Sequence, residues 1–173
     1  MWEKADWQLV TRELWEGIEH LGGVFLVTRS QDGKPNLMTI GWFQAGIVWG
    51  RPVATVLVRP SRYSHRLLEE HPAFVVVLPD SNMKKEVDLC GSWSGREGNK
   101  FARAGLTPQS LEDISVPTVG EGRAALYAKV VQKTKVDPQA FSPFIVKEYY
   151  PRGDFHSIYF GVIEGSWKKG IKS

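Results

Sequence analysis

Residues 59–64 hold the most concentrated set of groups in the sequence that could bind an anion. They follow the β-branched run at 53–58, and they are Arg59, Pro60, Ser61, Arg62, Tyr63 and Ser64. Where a strand passes into a helix, backbone N–H groups are left free, and here hydroxyl and guanidinium groups add further donors. This combination is suited to a phosphate. Taken alone, it is also typical of a polar helix cap with arginines that face solvent, so both interpretations stay open.

Other kinds of catalytic chemistry lack support in the sequence. The histidines show no metal-ligand spacing with one another or with the single cysteine, and there is no Cys-x-x-Cys pair. Residues 95–100 contain glycines and a lysine, but neither the spacing of a Walker A loop nor its Ser or Thr. No Gly-x-Ser-x-Gly motif occurs. We therefore expect no metal site, no ATP chemistry and no serine hydrolase.

Composition predicts one globular domain, residues 1–173, with 42% hydrophobic and 24% charged residues. A net charge of +3 is too small and too evenly spread to indicate nucleic acid.

The sequence contains no apolar stretch of roughly 20 residues, and residues 1–6 lack the apolar core of a signal peptide. We therefore expect a cytoplasmic protein that does not cross membranes. Cys90 cannot form an internal disulfide, and we interpret it as buried. Seven tryptophans suit either a planar ligand or a subunit interface.

The elements that position these groups begin with a helix over residues 6–21. Its apolar side chains at 10, 14, 18 and 21 share one face, and Gly22-Gly23 ends it. A strand at 24–28 and the Asp-Gly turn at 30–35 predict a hairpin whose second strand runs over 37–48. Residues 53–58 form the next strand, and Ser61 or Ser64 caps a short helix that includes Glu70.

The second half continues this mainly antiparallel pattern. We predict strands at 73–78 and 123–136, and a further strand at 155–163 that pairs with 123–136. Between the first two strands, we predict a glycine-rich loop at 91–98 and one or two helical turns at 99–104. Residues 106–122 are a long connection, and 137–153 could be a helix, an excursion or a lid. A small antiparallel barrel over about 23–165, with peripheral helices, accommodates these strands without an exposed sheet edge.

Three segments together resemble the flavin reductase-like family, which includes flavoredoxins and small flavin reductases of two-component monooxygenases. They read Asn-Leu-Met-Thr-Ile-Gly-Trp at 36–42, Val-Leu-Val-Arg-Pro-Ser-Arg-Tyr-Ser at 56–64, and Cys-Gly-Ser-Trp-Ser-Gly at 90–95 followed by Asn-Lys-Phe at 99–101. The resemblance covers roughly residues 24–161. It implies an antiparallel split β-barrel of Greek-key type that binds FMN, and a homodimer.

The resemblance also implies which residues hold the flavin. A neutral isoalloxazine has acceptors at N1, O2, O4 and N5, so Asn36, Thr39 and the backbone of residues 38–42 are suitable donors. Residues 59–64 then bind the phosphate, and a lysine stabilises negative charge. The site implied in this way comprises Asn36, Met38, Thr39, Ile40, Gly41, Trp42, Arg59, Pro60, Ser61, Arg62, Tyr63, Ser64, Ser92, Ser94, Lys100 and His156.

Without the resemblance, several of these residues have simpler explanations. Met38, Ile40 and Trp42 alternate as one core-facing side of a strand would. Lys100 could be a solvated surface lysine and His156 a strand-end histidine with its hydrogen bonds satisfied.

The implied function is oxidation and reduction through FMN, either as an NAD(P)H-dependent flavin reductase or as a non-enzymatic electron carrier with a redox protein partner. A related barrel with another planar cofactor, or with none, is a third possibility. Because the flavin carries the chemistry, we predict no catalytic acid or base. Residues 137–153 have no counterpart in the family pattern, and are our candidate for a gate over the flavin.

Overall fold

The apolar runs of the chain form an antiparallel sheet of eight strands in a computed structural model that describes residues 1–170. The sheet order is β3-β2-β6-β9-β10-β5-β4, with β1 added to β10, and a separate two-stranded ribbon pairs β7 with β8. The strands are β1 (Trp2–Lys4), β2 (Val24–Arg29), β3 (Pro35–Ile40), β4 (Phe43–Val48), β5 (Arg51–Val58), β6 (Ala73–Leu78), β7 (Pro108–Gln109), β8 (Thr118–Val119), β9 (Ala124–Lys135) and β10 (Ser157–Lys169).

Five α-helices and one 3-10 helix surround the sheet. They are α1 (Trp7–Leu21), α2 (Tyr63–Glu70), α3 (Lys84–Ser92), α4 (Lys100–Ala104), the 3-10 helix (Pro138–Ala140) and α5 (Pro143–Tyr149). The predicted first helix is confirmed: the Asp6 carboxylate accepts from the Gln8 N–H at its start, and Gly22 ends it at a φ of 76°. No helix within residues 1–170 has both the length and the apolarity that a membrane crossing requires.

Helices cover both faces of the central strands, which is why these strands read as continuous apolar runs. Val24 and Leu26 of β2 belong to the cluster that includes residues of α1, whereas Phe25 and Val27 pack with residues of α3 and α4. Every residue of β6 except the last is buried. The strands flanking the site are therefore fixed by packing on two sides.

The predicted strand 37–48 is wrong as a single element. It divides at Gly41-Trp42: β3 pairs with β2, while β4 leaves for the other end of the sheet and pairs with β5. The alternation of apolar residues continues through both strands, so the pattern concealed the break. The consequence is functional, because Gly41 and Trp42 become exposed where the two parts of the sheet separate.

Three other predicted details are also corrected. Neither Ser61 nor Ser64 caps α2, whose N-cap residue is Arg62, and no side chain of the described residues caps it. The predicted loop at 91–98 begins late, because α3 continues through Ser92. Residues 137–153 form an excursion that contains the 3-10 helix and α5. The other predicted strands are confirmed within a few residues, although β10 extends to Lys169, and residues 171–173 of the predicted domain lie outside the described part.

Candidate functional site

Two adjoining pockets open where β3 and β5 end and β10 begins. The first has a volume of about 210 Å³ and is lined by Met38, Thr39, Ile40, Gly41, Trp42, Leu57, Arg59, Arg62 and His156. The second, of about 190 Å³, is lined by Asn36, Met38, Ser61, Arg62, Tyr63, Ser64, Ser92, Trp93, Ser94, Gly95 and Lys100. Met38 and Arg62 belong to both. The structure thus brings together every residue of the predicted site except Pro60, which is exposed and lines neither pocket.

Lys100 is a buried cation at the base of the second pocket, not a solvated surface lysine. Lys100 is the first residue of α4, and only 3% of the residue is exposed. The Nζ group donates to the Cys90 carbonyl at 2.8 Å, and within residues 1–170 no carboxylate forms an ion pair with it. Burial, with a smaller contribution from Arg62, lowers the pKa of Lys100 to about 8. Such a group is stabilised by an anionic ligand.

Arg62 lies between the two pockets with part of its guanidinium unused. Nη1 donates to the Gly91 carbonyl at 2.9 Å, while the buried Nη2 has no hydrogen-bond partner among the described residues. Burial first, and then the charge of Arg59, lower the pKa of Arg62. A buried donor without an acceptor costs about 1–3 kcal/mol, which a ligand oxygen would recover.

The wall of the second pocket is built by close contacts around Asn36. Its Nδ2 donates to the Ser64 hydroxyl at 3.0 Å, and both residues are buried. A Cβ atom at Gly95 would lie 2.1 Å from Asn36 Oδ1 and 2.8 Å from a Tyr63 ring carbon. Only glycine therefore allows this loop to approach the asparagine so closely.

The remaining serines of this pocket are less free than the sequence suggested. Ser92 donates to the Asp88 carbonyl at 2.9 Å, as a helical serine does, and the Ser94 hydroxyl accepts from the Arg96 N–H at 3.2 Å. Ser92 thus uses its hydroxyl proton within α3, and Ser94 keeps one to donate.

The sequence left Met38, Ile40 and Trp42 as either core residues or residues of the ligand site, and in the first pocket each interpretation is partly correct. Met38 and Ile40 are core residues, 6% and 4% exposed, and they also form the pocket wall. Trp42 is 37% exposed, because it lies beyond the end of β3. The Thr39 hydroxyl donates to the Val87 carbonyl at 2.6 Å, so its predicted role as a ligand donor is not available in this arrangement.

Arg59 and Ser61 hold the excursion 137–153 in place through Tyr149 and the adjoining Asp154, instead of remaining free for an anion. Arg59 donates to the carbonyls of Asp154 at 3.0 Å and Tyr149 at 2.8 Å. The Ser61 N–H and hydroxyl donate to the Asp154 carboxylate at 3.2 and 2.5 Å. Sequence reasoning missed Asp154, whose φ of 56° is a conformation that Asp tolerates better than most residues.

His156 is held by Tyr150, a second residue that the sequence did not reveal. The Tyr150 hydroxyl lies 2.8 Å from His156 Nδ1, and the Trp42 and His156 rings are 4.5 Å apart. Burial, followed by the charge of Arg59, lowers the pKa of His156 to about 4. The imidazole is therefore neutral near pH 7, and it belongs to the wall of the first pocket.

The antiparallel sheet, with helices on both faces of its central strands, has the arrangement of a split barrel. The model of the flavin reductase like domain matches residues 19–167, which is most of the chain. The protein therefore belongs to the flavin reductase-like family, as the three sequence segments indicated.

Comparison with individual proteins agrees with this membership. An uncharacterized protein of Archaeoglobus fulgidus is 32% identical over 102 residues, 59% of this chain and 57% of the relative. Flavoredoxin of Desulfovibrio vulgaris (Miyazaki F) superposes with a TM-score of 0.68 at 24% identity, covering 85% of this chain and 69% of that one. An FMN-binding domain of a flavin reductases-like enzyme from Shewanella baltica OS155 gives 0.69 at 20%, covering 97% and 77%. The chain spans less than two thirds of the curated relatives it matches.

Proposed function

We propose that this protein binds FMN, with the phosphate in the second pocket and the isoalloxazine in the first, and that it acts as a flavin-dependent oxidoreductase. The observation that carries the proposal is a pair of cations that line the second pocket, the buried Lys100 and the half-buried Arg62, whose buried Nη2 has no hydrogen-bond partner among the described residues. A phosphate dianion supplies the charge and the oxygen acceptors that both groups lack.

The neighbouring side chains fit the rest of such a ligand. Asn36 and Ser64 line the second pocket, next to the first turn of α2, whose N–H groups have no acceptor within the helix. Met38, Ile40 and Leu57 give the first pocket an apolar wall, and Trp42 offers an aromatic edge. When bound, FMN would supply hydride and electron transfer. The residues of this chain would hold it, orient it and limit the access of water.

An NAD(P)H-dependent flavin reductase is the form of this activity that we favour, with an electron carrier that serves a redox protein partner as the second candidate. The first pocket is open to solvent beside the exposed residues Gly41 and Trp42. This opening leaves room for a second planar ligand to approach. Residues 137–153, fastened by Arg59 at Tyr149 and by Ser61 at the adjoining Asp154, remain our candidate for a gate over this opening.

Anaerobic mixing with nicotinamides tests the reductase form. NADH or NADPH should bleach the absorbance of the FMN-loaded protein much faster than it bleaches the same concentration of free FMN, because the protein aligns the two rings. Dithionite provides the end point for full reduction. Complete bleaching by dithionite, with neither nicotinamide faster than in free FMN, would exclude the reductase and favour the electron carrier.

Removing the charge of Asp154 should strengthen FMN binding. This carboxylate accepts two hydrogen bonds from Ser61, which lines the second pocket, and its charge would repel a phosphate bound there. Asp154→Asn is expected to raise FMN affinity by about 3–10-fold, the size of a partly screened charge interaction, and to leave riboflavin affinity unchanged. Fluorescence titration measures both values. Glu112→Gln, in the separate groove beside Trp2, is the control for a general change in charge; equal effects of the two substitutions would refute a local role.

We also propose a homodimer. β4 is an end strand of the sheet, and the hairpin that joins it to β5 exposes Ile47 and Trp49 by 64% and 61%. Apolar residues this exposed beside an unpaired strand edge are typical of an interface. Sedimentation of the FMN-loaded protein at micromolar concentration tests the assembly, and a monomer would contradict it.

A further inference from the structure

Tyr150 is enclosed on several sides within the excursion 137–153. Only 4% of the residue is exposed. Its ring stacks on Phe155 at a centroid distance of 4.6 Å and lies 5.4 Å from Phe141, while the guanidinium of Arg59 is 5.0 Å from its centroid. Its hydroxyl reaches His156 Nδ1 at 2.8 Å. A side chain enclosed in this way keeps its hydroxyl in one place.

The direction of the hydrogen bond between Tyr150 and His156 follows from counting protons. Burial raises the pKa of Tyr150, so the phenol keeps its proton, and the neutral imidazole of His156 carries a single N–H. If Nδ1 were the donor, the buried Tyr150 proton would need another acceptor, and within residues 1–170 the hydroxyl forms no hydrogen bond to an acceptor other than Nδ1. If the hydroxyl donates, its proton and Nδ1 are both paired, and the imidazole proton resides on Nε2.

We propose that Tyr150 is a positioning residue that fixes His156 as an Nε2–H hydrogen-bond donor toward a ring acceptor of the ligand in the first pocket. The inference rests on the proposed function, because the carbonyl oxygens and unprotonated nitrogens of a flavin ring are such acceptors. Trp42, packed against the imidazole at 4.5 Å, limits rotation of the ring. Of the neighbouring charged groups, Arg59 disfavours the imidazolium and Asp154 favours it, and the neutral form prevails.

The tautomer can be observed directly in the ligand-free protein. In long-range ¹H–¹⁵N spectra of protein with ¹⁵N-labelled histidine at pH 7, His156 should carry its proton on Nε2, with the resonance assigned by its loss in His156→Gln. Tyr150→Phe should shift His156 to a tautomer mixture or to Nδ1–H. Tyr149→Phe is the matched control, since that ring contacts Trp42 but the bond to His156 comes from the Tyr150 hydroxyl. An Nδ1–H form in the native protein, or an unchanged tautomer in Tyr150→Phe, would overturn the inference.

A double-mutant cycle separates positioning from simple packing. Tyr150→Phe should weaken FMN binding by about 2–10-fold, the range of one neutral hydrogen bond. A glutamine at 156 donates through its amide without help from Tyr150, so Tyr150→Phe should cause no further loss in the His156→Gln background. Losses that simply multiply would overturn the role of the pair. Failure of the native protein to bind FMN would count against the proposed function alone, because the tautomer is measured without ligand.

Discussion

Replacing Lys100 with methionine is expected to weaken FMN binding by about 10-fold to 150-fold and to leave riboflavin binding unchanged. Lys100 would donate a charge-assisted hydrogen bond to the phosphate, and one such bond contributes about 1.5–3 kcal/mol. Riboflavin has no phosphate, so the lost bond does not affect it. Fluorescence titrations with the two flavins measure the difference within a single variant.

The same substitution should stabilise the ligand-free fold. Lys100 is almost fully buried, and its Nζ bonds to a single carbonyl, so a methionine of similar length removes a desolvated charge. Removing this buried charge, unpaired within residues 1–170, should outweigh the loss of its one hydrogen bond to the Cys90 carbonyl, so we expect the Tm to rise. Lys85→Met is the matched control, because that lysine is exposed, lines neither pocket and should change neither property. Equal losses for both flavins, or a lower Tm, would mean that Lys100 serves the fold and not the phosphate.

Substituting Gly95 with alanine should disrupt the packing of the wall of the second pocket. The new Cβ would lie 2.1 Å from Asn36 Oδ1, so the asparagine must move away from Ser64 or the loop must withdraw. We expect FMN affinity to fall by about 10-fold or more, and stability by about 1–3 kcal/mol from overpacking. FMN titration and urea unfolding measure the two effects.

Gly46→Ala provides the comparison for this substitution. A Cβ atom at Gly46 meets nothing within 4 Å, so this variant should bind FMN like the native protein. If Gly95→Ala also binds FMN normally, the wall around Asn36 does not shape the ligand site.

Local signals in the sequence predicted most of the scaffold. The face of α1, the hairpin turn at 30–35 and the strands at 53–58 and 73–78 depend on periodicity and turn chemistry, which neighbouring residues determine. The break at Gly41-Trp42 was missed because it depends on which strand each half pairs with. β1 was missed because three residues become a strand only through pairing with β10.

The motifs predicted which residues line the two pockets. They did not predict which of the hydrogen-bond donors there are already bonded to acceptors of the protein itself. Residues 36–42, 59–64 and 90–101 do converge on two adjoining pockets. However, the bonds from Arg59 and Ser61 to Asp154 join residues more than 90 positions apart, and no short motif encodes them. The pairing of Tyr150 with His156 likewise depends on how the excursion folds back. Hydrogen-bond partners distant in sequence are set by tertiary packing.

The pH dependence of FMN binding should follow the protonation of the Lys100 side chain. Its pKa of about 8 means that the ligand-free protein carries this charge at pH 7 and loses it as the pH rises through 8. Above that pH, phosphate binding must take up a proton, so FMN affinity should fall by up to about 10-fold per pH unit while riboflavin affinity stays constant.

The ratio of FMN to riboflavin affinity in the native protein tests the central claim most directly. Two charge-assisted bonds, from Lys100 and Arg62, predict that FMN binds at least about 100-fold more tightly than riboflavin at pH 7. Titration of the ligand-free protein with each flavin, followed by fluorescence quenching, gives both dissociation constants in one buffer. A ratio of 100 or more is the result we expect, and equal affinity for the two flavins would contradict the phosphate site.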